Sequence, residues 1–144
     1  MIAVDTNILV YAHRPESRFH NRAAQRLSEL ATGAAQWAIA WPCVHEFVGV
    51  ITHPRVFRPP TPLEVAIEAV DGLLTLDNLM LLTESEHHWK TLRSIMSRAG
   101  VAGPIIHDAR IAAICIDNGV SELWSADRDF GRFPALKVVN PLVT

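Results

Sequence analysis

A chain of 144 residues, 49% of them hydrophobic, is long enough to bury a core and too apolar to remain disordered. Its net charge of −2 gives no overall basic balance of the kind that announces a nucleic-acid partner, although acids gathered in a site would mask a basic rim around it. Polar residues break every apolar run well short of the roughly 20 residues of a membrane span, and Asp5 and Asn7 interrupt the N-terminal run that a secretory leader would need.

Ile2 to Val4 reads as a short buried strand, and Thr6 to Ala12 as a helical turn leaving it. From Phe19 to Ala31 the apolar positions Ala23, Ala24, Leu27 and Leu30 recur at helical spacing, with Gly33 as the stop. Trp37 to Ala40 is a second strand. Pro42 suits the first turn of a helix that runs to about His53, with Val44, Phe47, Val48 and Ile51 as its buried stripe. Pro54, Pro59, Pro60 and Pro62 enforce a loop. Thr61 to Glu64 forms a capping-box pattern opening a helix towards Thr75, and Leu79 to Leu82 is a third strand. A second capping box, Thr83 to Glu86, starts a helix through Arg98 that Gly100 ends. Ile106 to Asn118 is a helix apolar almost all round, closed by Gly119, and such a helix packs deep against a sheet. Leu123-Trp124 and Leu136 to Val139 are strand-like.

Strands alternating with helices imply an α/β fold with a parallel sheet covered on both faces. In such sheets, sites form beyond the carboxyl ends of the strands. Asp5 and Asp127 both stand at carboxyl ends, Glu46 lies on the Pro42 helix, and Asp108 opens the apolar helix. Carboxylates that converge repel one another unless a hard cation neutralises them, and Mg²⁺ or Mn²⁺ prefers oxygen ligands. Metal-assisted phosphoryl chemistry is the reading that follows.

Each acid also has a plainer role. Asp5 fits the N-cap of the helix that follows, with Thr6 and Asn7 able to orient it. Glu46 fits a solvated helix face; the His45-Glu46 pair does not make a zinc-protease motif, because position 49 is glycine where the second histidine belongs. Asp108 fits a helix cap, but its apolar surroundings demand a partner for the charge. Asp127, after Ser125, fits an Asx turn, and Asp129 on the same turn is a supporting acid that acts through water or by holding backbone. The seven histidines show no paired ligand spacing, and the four tryptophans read as packing residues. Cys43 and Cys115 lie in apolar helical patterns without zinc or redox spacing, which predicts two buried free thiols in a reducing cytoplasm. Loose basic clusters include Arg14, Arg55 and Arg128; around an acidic pocket they would grip a nucleic-acid backbone.

Taken together, five ordered segments resemble the PIN-domain endoribonucleases, and within them the VapC toxins of bacterial toxin–antitoxin modules in their mycobacterial-type branch. They are Met1 to Ala12, Trp41-Pro42 through Glu46-Phe47, Thr52 to Phe57, His107-Asp108-Ala109 and Ala126 to Phe130. The resemblance spans essentially the whole chain, as one domain over 1–144. It implies a three-layer α/β/α sandwich with a central, mostly parallel sheet. It implies Mg²⁺, with Mn²⁺ as a substitute, held by Asp5 and Asp108, with Glu46 and Asp127 completing the cluster. A VapB-type antitoxin whose C-terminal segment covers the active site, a structured RNA substrate such as tRNA, and a homodimer are the implied partners. The expected reaction is hydrolysis of an RNA phosphodiester by an activated water, leaving 5′-phosphate and 3′-hydroxyl ends.

Three rivals share the same residues. An aspartyl phosphatase would use Asp5 as nucleophile, but it wants an acid where Asn7 stands and a better placed lysine than Lys137. A binding module that has lost catalysis would not be expected to keep all four acids. A DNA or flap nuclease would need helical arch segments for which the chain is too short.

Overall fold

A computed structural model describes residues 1–143. Five strands form one all-parallel sheet: β1 (Ile2–Val4), β2 (Trp37–Ala40), β3 (Leu79–Leu82), β4 (Glu122–Trp124) and β5 (Val138–Val139), in the order β3-β2-β1-β4-β5. Six α-helices accompany them in a three-layer sandwich: α1 (Thr6–His13), α2 (His20–Thr32), α3 (Trp41–Ile51), α4 (Leu63–Leu74), α5 (His88–Ala99) and α6 (Ile106–Asp117). Among the described residues no helix is long and apolar enough to cross a membrane.

The central strands carry small and branched residues because both faces are covered. All four residues of β2 are buried, and Ala3 pairs with Ala38 on one side and Leu123 on the other. Helix α6 buries Ala109 and the unbroken run from Ile111 to Cys115, as an all-round apolar helix must. Burial of this kind stabilises by roughly 25 cal/mol per Å² of apolar surface removed from water.

Connectivity places the site. From β1 the chain moves to β2 and then β3 on one side of the sheet; it then crosses back, and β4 and β5 extend the other side. Beyond the carboxyl ends of β1 and β4 the chain therefore leaves in opposite directions, which opens a crevice between them. The Asp5 amide donates to the Trp124 carbonyl at 2.9 Å, fixing the two strand ends side by side.

Some local expectations fail for physical reasons. Helix α4 has no side-chain cap, although Thr61 precedes it at capping distance. The buried Thr61 hydroxyl instead accepts from the Arg14 Nη1 at 3.0 Å and lies 3.1 Å from His13 Nε2, a charged donor being the stronger partner. Helix α5 begins at His88 rather than after Thr83, because Glu84 turns to Arg110 (2.7 Å) and Ser85 donates to Asp117 on α6 at 2.8 Å. Strand β5 is confined to two residues; Leu136 is buried in the preceding turn. Gly33 ends α2 in extended backbone, and its need for glycine is steric: a Cβ there would meet the Glu29 carbonyl at 3.0 Å. Gly100, by contrast, closes α5 at φ 63°, the left-handed conformation that glycine adopts without strain.

Candidate active site

Asp5 sits at the crevice, only 5% exposed, and every oxygen has a donor. Oδ1 accepts from the Thr6 amide at 2.8 Å, so the carboxylate does cap α1, and the Cys43 thiol approaches the same oxygen at 3.6 Å. Oδ2 accepts from Ser125 Oγ at 2.7 Å and from Asn7 Nδ2 at 3.2 Å. Burial raises the pKa of Asp5 above its ordinary value; the Ser125 and Thr6 bonds pull it back, and the charge of Glu46 pushes it up again.

Ser125 and Asn7 stitch the β1 and β4 loops together. Ser125 Oγ accepts from the Asp127 amide at 3.0 Å and from Asn7 Nδ2 at 3.3 Å, while Asn7 Oδ1 accepts from the Ala126 amide at 3.1 Å. Thr6 contributes through its backbone; its hydroxyl turns to the Cys43 carbonyl at 3.5 Å. After Ser125, Asp127 accepts from the Asp129 amide at 2.9 Å. This is the Asx turn, and it folds the chain so that Asp129 comes back towards Asp127.

Asp108 stands in the first turn of α6 but caps nothing, and among the described residues its carboxylate has no hydrogen-bond partner. Oxygens of Asp108, Asp127 and Asp129 all lie within 4.8 Å of one another. Asp108 is half-buried, and its pKa is raised from 3.8 to about 6, first by burial and then by Asp127, Asp5, Asp129 and Glu46 in that order. The field at this one carboxyl thus registers all four other acids. Of the five, only Asp129 meets a cation among the described residues, Arg132 at 3.8 Å, and that pair is more than half exposed. Hard oxygen donors, a raised pKa and a deficit of neighbouring positive charge fit a divalent cation.

The structure thus gathers Asp5, Asp108 and Asp127, adds Asp129 fully to the cluster, and leaves Glu46 exposed on α3 with its charge acting on Asp5 and Asp108. Sequence reading gave Asp129 only a supporting place; the two-residue spacing from a turn-forming aspartate was the available signal. It saw no contact between Cys43 and Asp5, which depends on how α3 packs. Cys43 and Cys115 are buried free thiols, and burial pushes the latter up to about 12. Arg55 and Arg128 are exposed and make no side-chain hydrogen bond or ion pair among the described residues. The Arg14 guanidinium is already engaged: it donates to Thr61 and to the Pro59 carbonyl at 3.0 Å each, pairs with Glu16 at 2.6 Å, and lies over the Phe57 ring.

Comparison with known proteins agrees with this geometry. The PIN-domain family pattern matches residues 2–136. VapC ribonuclease Mb2897 of Mycobacterium bovis is 38% identical over 142 residues, which cover 99% of this chain and 96% of that one. Ribonuclease VapC43 of Mycobacterium tuberculosis matches with the same figures. Among solved structures, VapBC2 from Rickettsia felis, bound to a DNA fragment from its promoter, superposes with a TM-score of 0.66. It shares 23% identity, with coverage of 96% of this chain and 98% of that chain, a likeness of fold.

Proposed function

The chain belongs to the PIN-domain family, in its VapC ribonuclease branch, and from that premise we propose that it is the toxin of a toxin–antitoxin module, hydrolysing RNA in the cytoplasm and so inhibiting translation and growth. The observation that carries the reading is the gathering of Asp108, Asp127 and Asp129, whose oxygens lie within 4.8 Å of one another, with the charges of Asp5 and Glu46 acting on Asp108 and Arg132 the one cation paired with the three among the described residues.

Asp5 and Asp108 would hold Mg²⁺, or Mn²⁺ in its place, with Asp127 and Asp129 completing the donor set. A bound divalent cation supplies charge stabilisation to the scissile phosphate and makes an attacking water more acidic. Ser125, Asn7 and Thr6 aim Asp5 by donating to both of its oxygens, and the Ser125 and Thr6 bonds oppose the rise in its pKa that burial causes. Glu46 or Asp127 would take the proton of the attacking water. Arg55 and Arg128, exposed and unpaired among the described residues, are available to phosphates of the RNA. Arg14 serves that surface indirectly, by anchoring the loop that carries Arg55. A buried Asp5 with both oxygens accepting hydrogen bonds is poorly disposed to act as the nucleophile of a phosphatase.

The partners that accompany this reading are a VapB-type antitoxin, in keeping with the VapBC2 neighbour, a structured RNA such as tRNA, and a second copy of the chain. The test is to map RNA 5′ ends after brief induction of the intact protein and of Asp5→Asn. New 5′-phosphate ends that vanish in the variant are expected. Cleavage that persists in Asp5→Asn, or that leaves 2′,3′-cyclic phosphates, would overturn the proposal.

A further inference from the structure

Two of the four tryptophans pack as the sequence suggests: Trp37 and Trp124 are buried, and their indole N–H groups donate to Asn78 at 3.1 Å and to Glu122 at 3.0 Å. Trp41 does neither. It is 37% exposed, and its indole N–H makes no hydrogen bond among the described residues. Its ring lies against His45, one helical turn on, with centroids 6.1 Å apart and planes 32° from parallel. That contact holds the indole in place. A single exposed apolar residue is ordinary; the position of this one is not. Parallel pairing of Ile2 with Trp37 and of Ala3 with Ala38 brings Ala40, by extension, level with Asp5. Trp41 is therefore the first residue past the carboxyl end of β2, and two residues later the Cys43 thiol approaches Asp5 at 3.6 Å. Along α3 the exposed residues Trp41, His45, Glu46 and Gly49 fall on one arc at about 100° per residue, while Cys43, Val44, Phe47 and Ile51 are buried. Glu46 ends that arc, and its charge acts on Asp5 and Asp108. A Cβ at Gly49 would meet nothing within 4 Å, so the arc is open.

We propose that Trp41, backed by His45, is the stacking platform for one unpaired nucleobase next to the scissile phosphate, and that this contact selects where the strand is cut. The inference rests on the ribonuclease reading above and names a residue that gives that site its specificity. The acids repel every phosphate except the one held at the cation, so the grip on the strand beside the cut has to come from its uncharged parts, the bases. A Trp face supplies such a grip, because every base has a face to stack on it. Only a base splayed out of a helix can reach it, which favours loops and single strands over paired RNA. The free indole N–H offers one donor to the base edge or sugar. A protein segment laid over the ring is the competing occupant; it involves no nucleobase, and the experiment separates the two on that ground.

The experiment uses the full chain with Mg²⁺ and single-stranded RNA oligonucleotides spanning a cleavage site mapped as above. In a parallel series, one nucleotide at a time on either side of the cut is made abasic. Trp41→Ala removes the ring, Trp41→Tyr keeps a stacking face, and Trp89→Ala, which removes an indole 63% exposed on α5, is the control. Trp41→Ala is expected to lower kcat/KM by about fivefold to a hundredfold, mainly through KM, with melting temperature and Mg²⁺ requirement unchanged. Trp41→Tyr should recover most of the loss, and Trp89→Ala should cleave as the intact protein does. One abasic position should slow the intact protein by a similar factor and leave Trp41→Ala unaffected, because both changes remove the same contact. Trp41→Ala that cleaves as the intact protein does, the result if the ring serves a protein partner, would overturn the platform. So would an equal loss in Trp41→Tyr or Trp89→Ala, or abasic effects that multiply with the Trp41→Ala loss at every position. An intact protein that cuts no RNA would overturn the nuclease reading and the platform with it.

Discussion

Replacing Asp108 by asparagine should stabilise the protein when divalent cations are chelated. Asparagine keeps the shape, and the carboxylate gives up no hydrogen bond among the described residues. What disappears is a charge that burial and four neighbouring acids oppose. A carboxyl raised from 3.8 to about 6 costs the folded state ~3 kcal/mol at neutral pH by linkage alone. The group is half-buried, so solvent screening reduces this to about 1 kcal/mol, or roughly 3 °C in melting temperature for a chain of this length. The sign follows from proton counting. Between 3.8 and about 6 the folded protein holds a proton that the unfolded chain has released, so stability falls as pH rises through that window and stays low above it. His13 works the other way, since its burial lowers its pKa, but it does so equally in both proteins. The informative quantity is therefore the difference between them at each pH. It should be near zero below the window and full above it. Thermal melts at a series of pH values, with chelator and with millimolar Mg²⁺, measure it. Saturating cation should reverse the order, because it binds the folded intact protein alone. A variant that melts at or below the intact protein in chelator at neutral pH would refute the crowding of these carboxylates.

Other perturbations probe the supports of the site and the core. Ser125→Ala removes the shortest donor to Asp5, raising the pKa of that acid further; a loss of about 1.5–3 kcal/mol in stability is expected, and the acid limb of the pH–rate profile for RNA cleavage should move to higher pH. An unmoved limb would show that Ser125 does not act through Asp5. Thr61→Val leaves the Arg14 donor without its buried acceptor, which should cost about 1–2 kcal/mol and speed hydrogen exchange across residues 53–62 more than in the sheet. Ile114→Ala, at a position with 0% exposure, should lower stability by about 2–5 kcal/mol in denaturant melts, while cleavage by the folded fraction persists.

Much of the fold was readable residue by residue. Strand β2 and strand β3 have the predicted limits, and α1, α2, α3 and α6 differ from prediction by a residue or two at their ends. These patterns depend on spacings of two to four residues, which one short window contains. Misreadings cluster where a polar side chain had a choice of partner. Thr61 and Ser85 look like helix caps in isolation, but each has a distant alternative, on α1 and on α6, that burial makes more favourable. No local window contains that competitor.

The candidate site divides along the same line. Sequence alone determined that Asp5 ends a strand and caps a helix, that Asp108 enters the first turn of an apolar helix, and that Asp127 begins a turn, because each role is settled by the few residues on either side. Tertiary structure alone decided that they share one crevice. Strand β4 had to insert beside β1, opposite β2, and that order is selected by the joint burial of the sheet and α6. Such burial couples residues more than a hundred positions apart, as the bond from Ser125 to Asp5 does, and only the assembled core supplies the free energy that holds mutually repelling acids together.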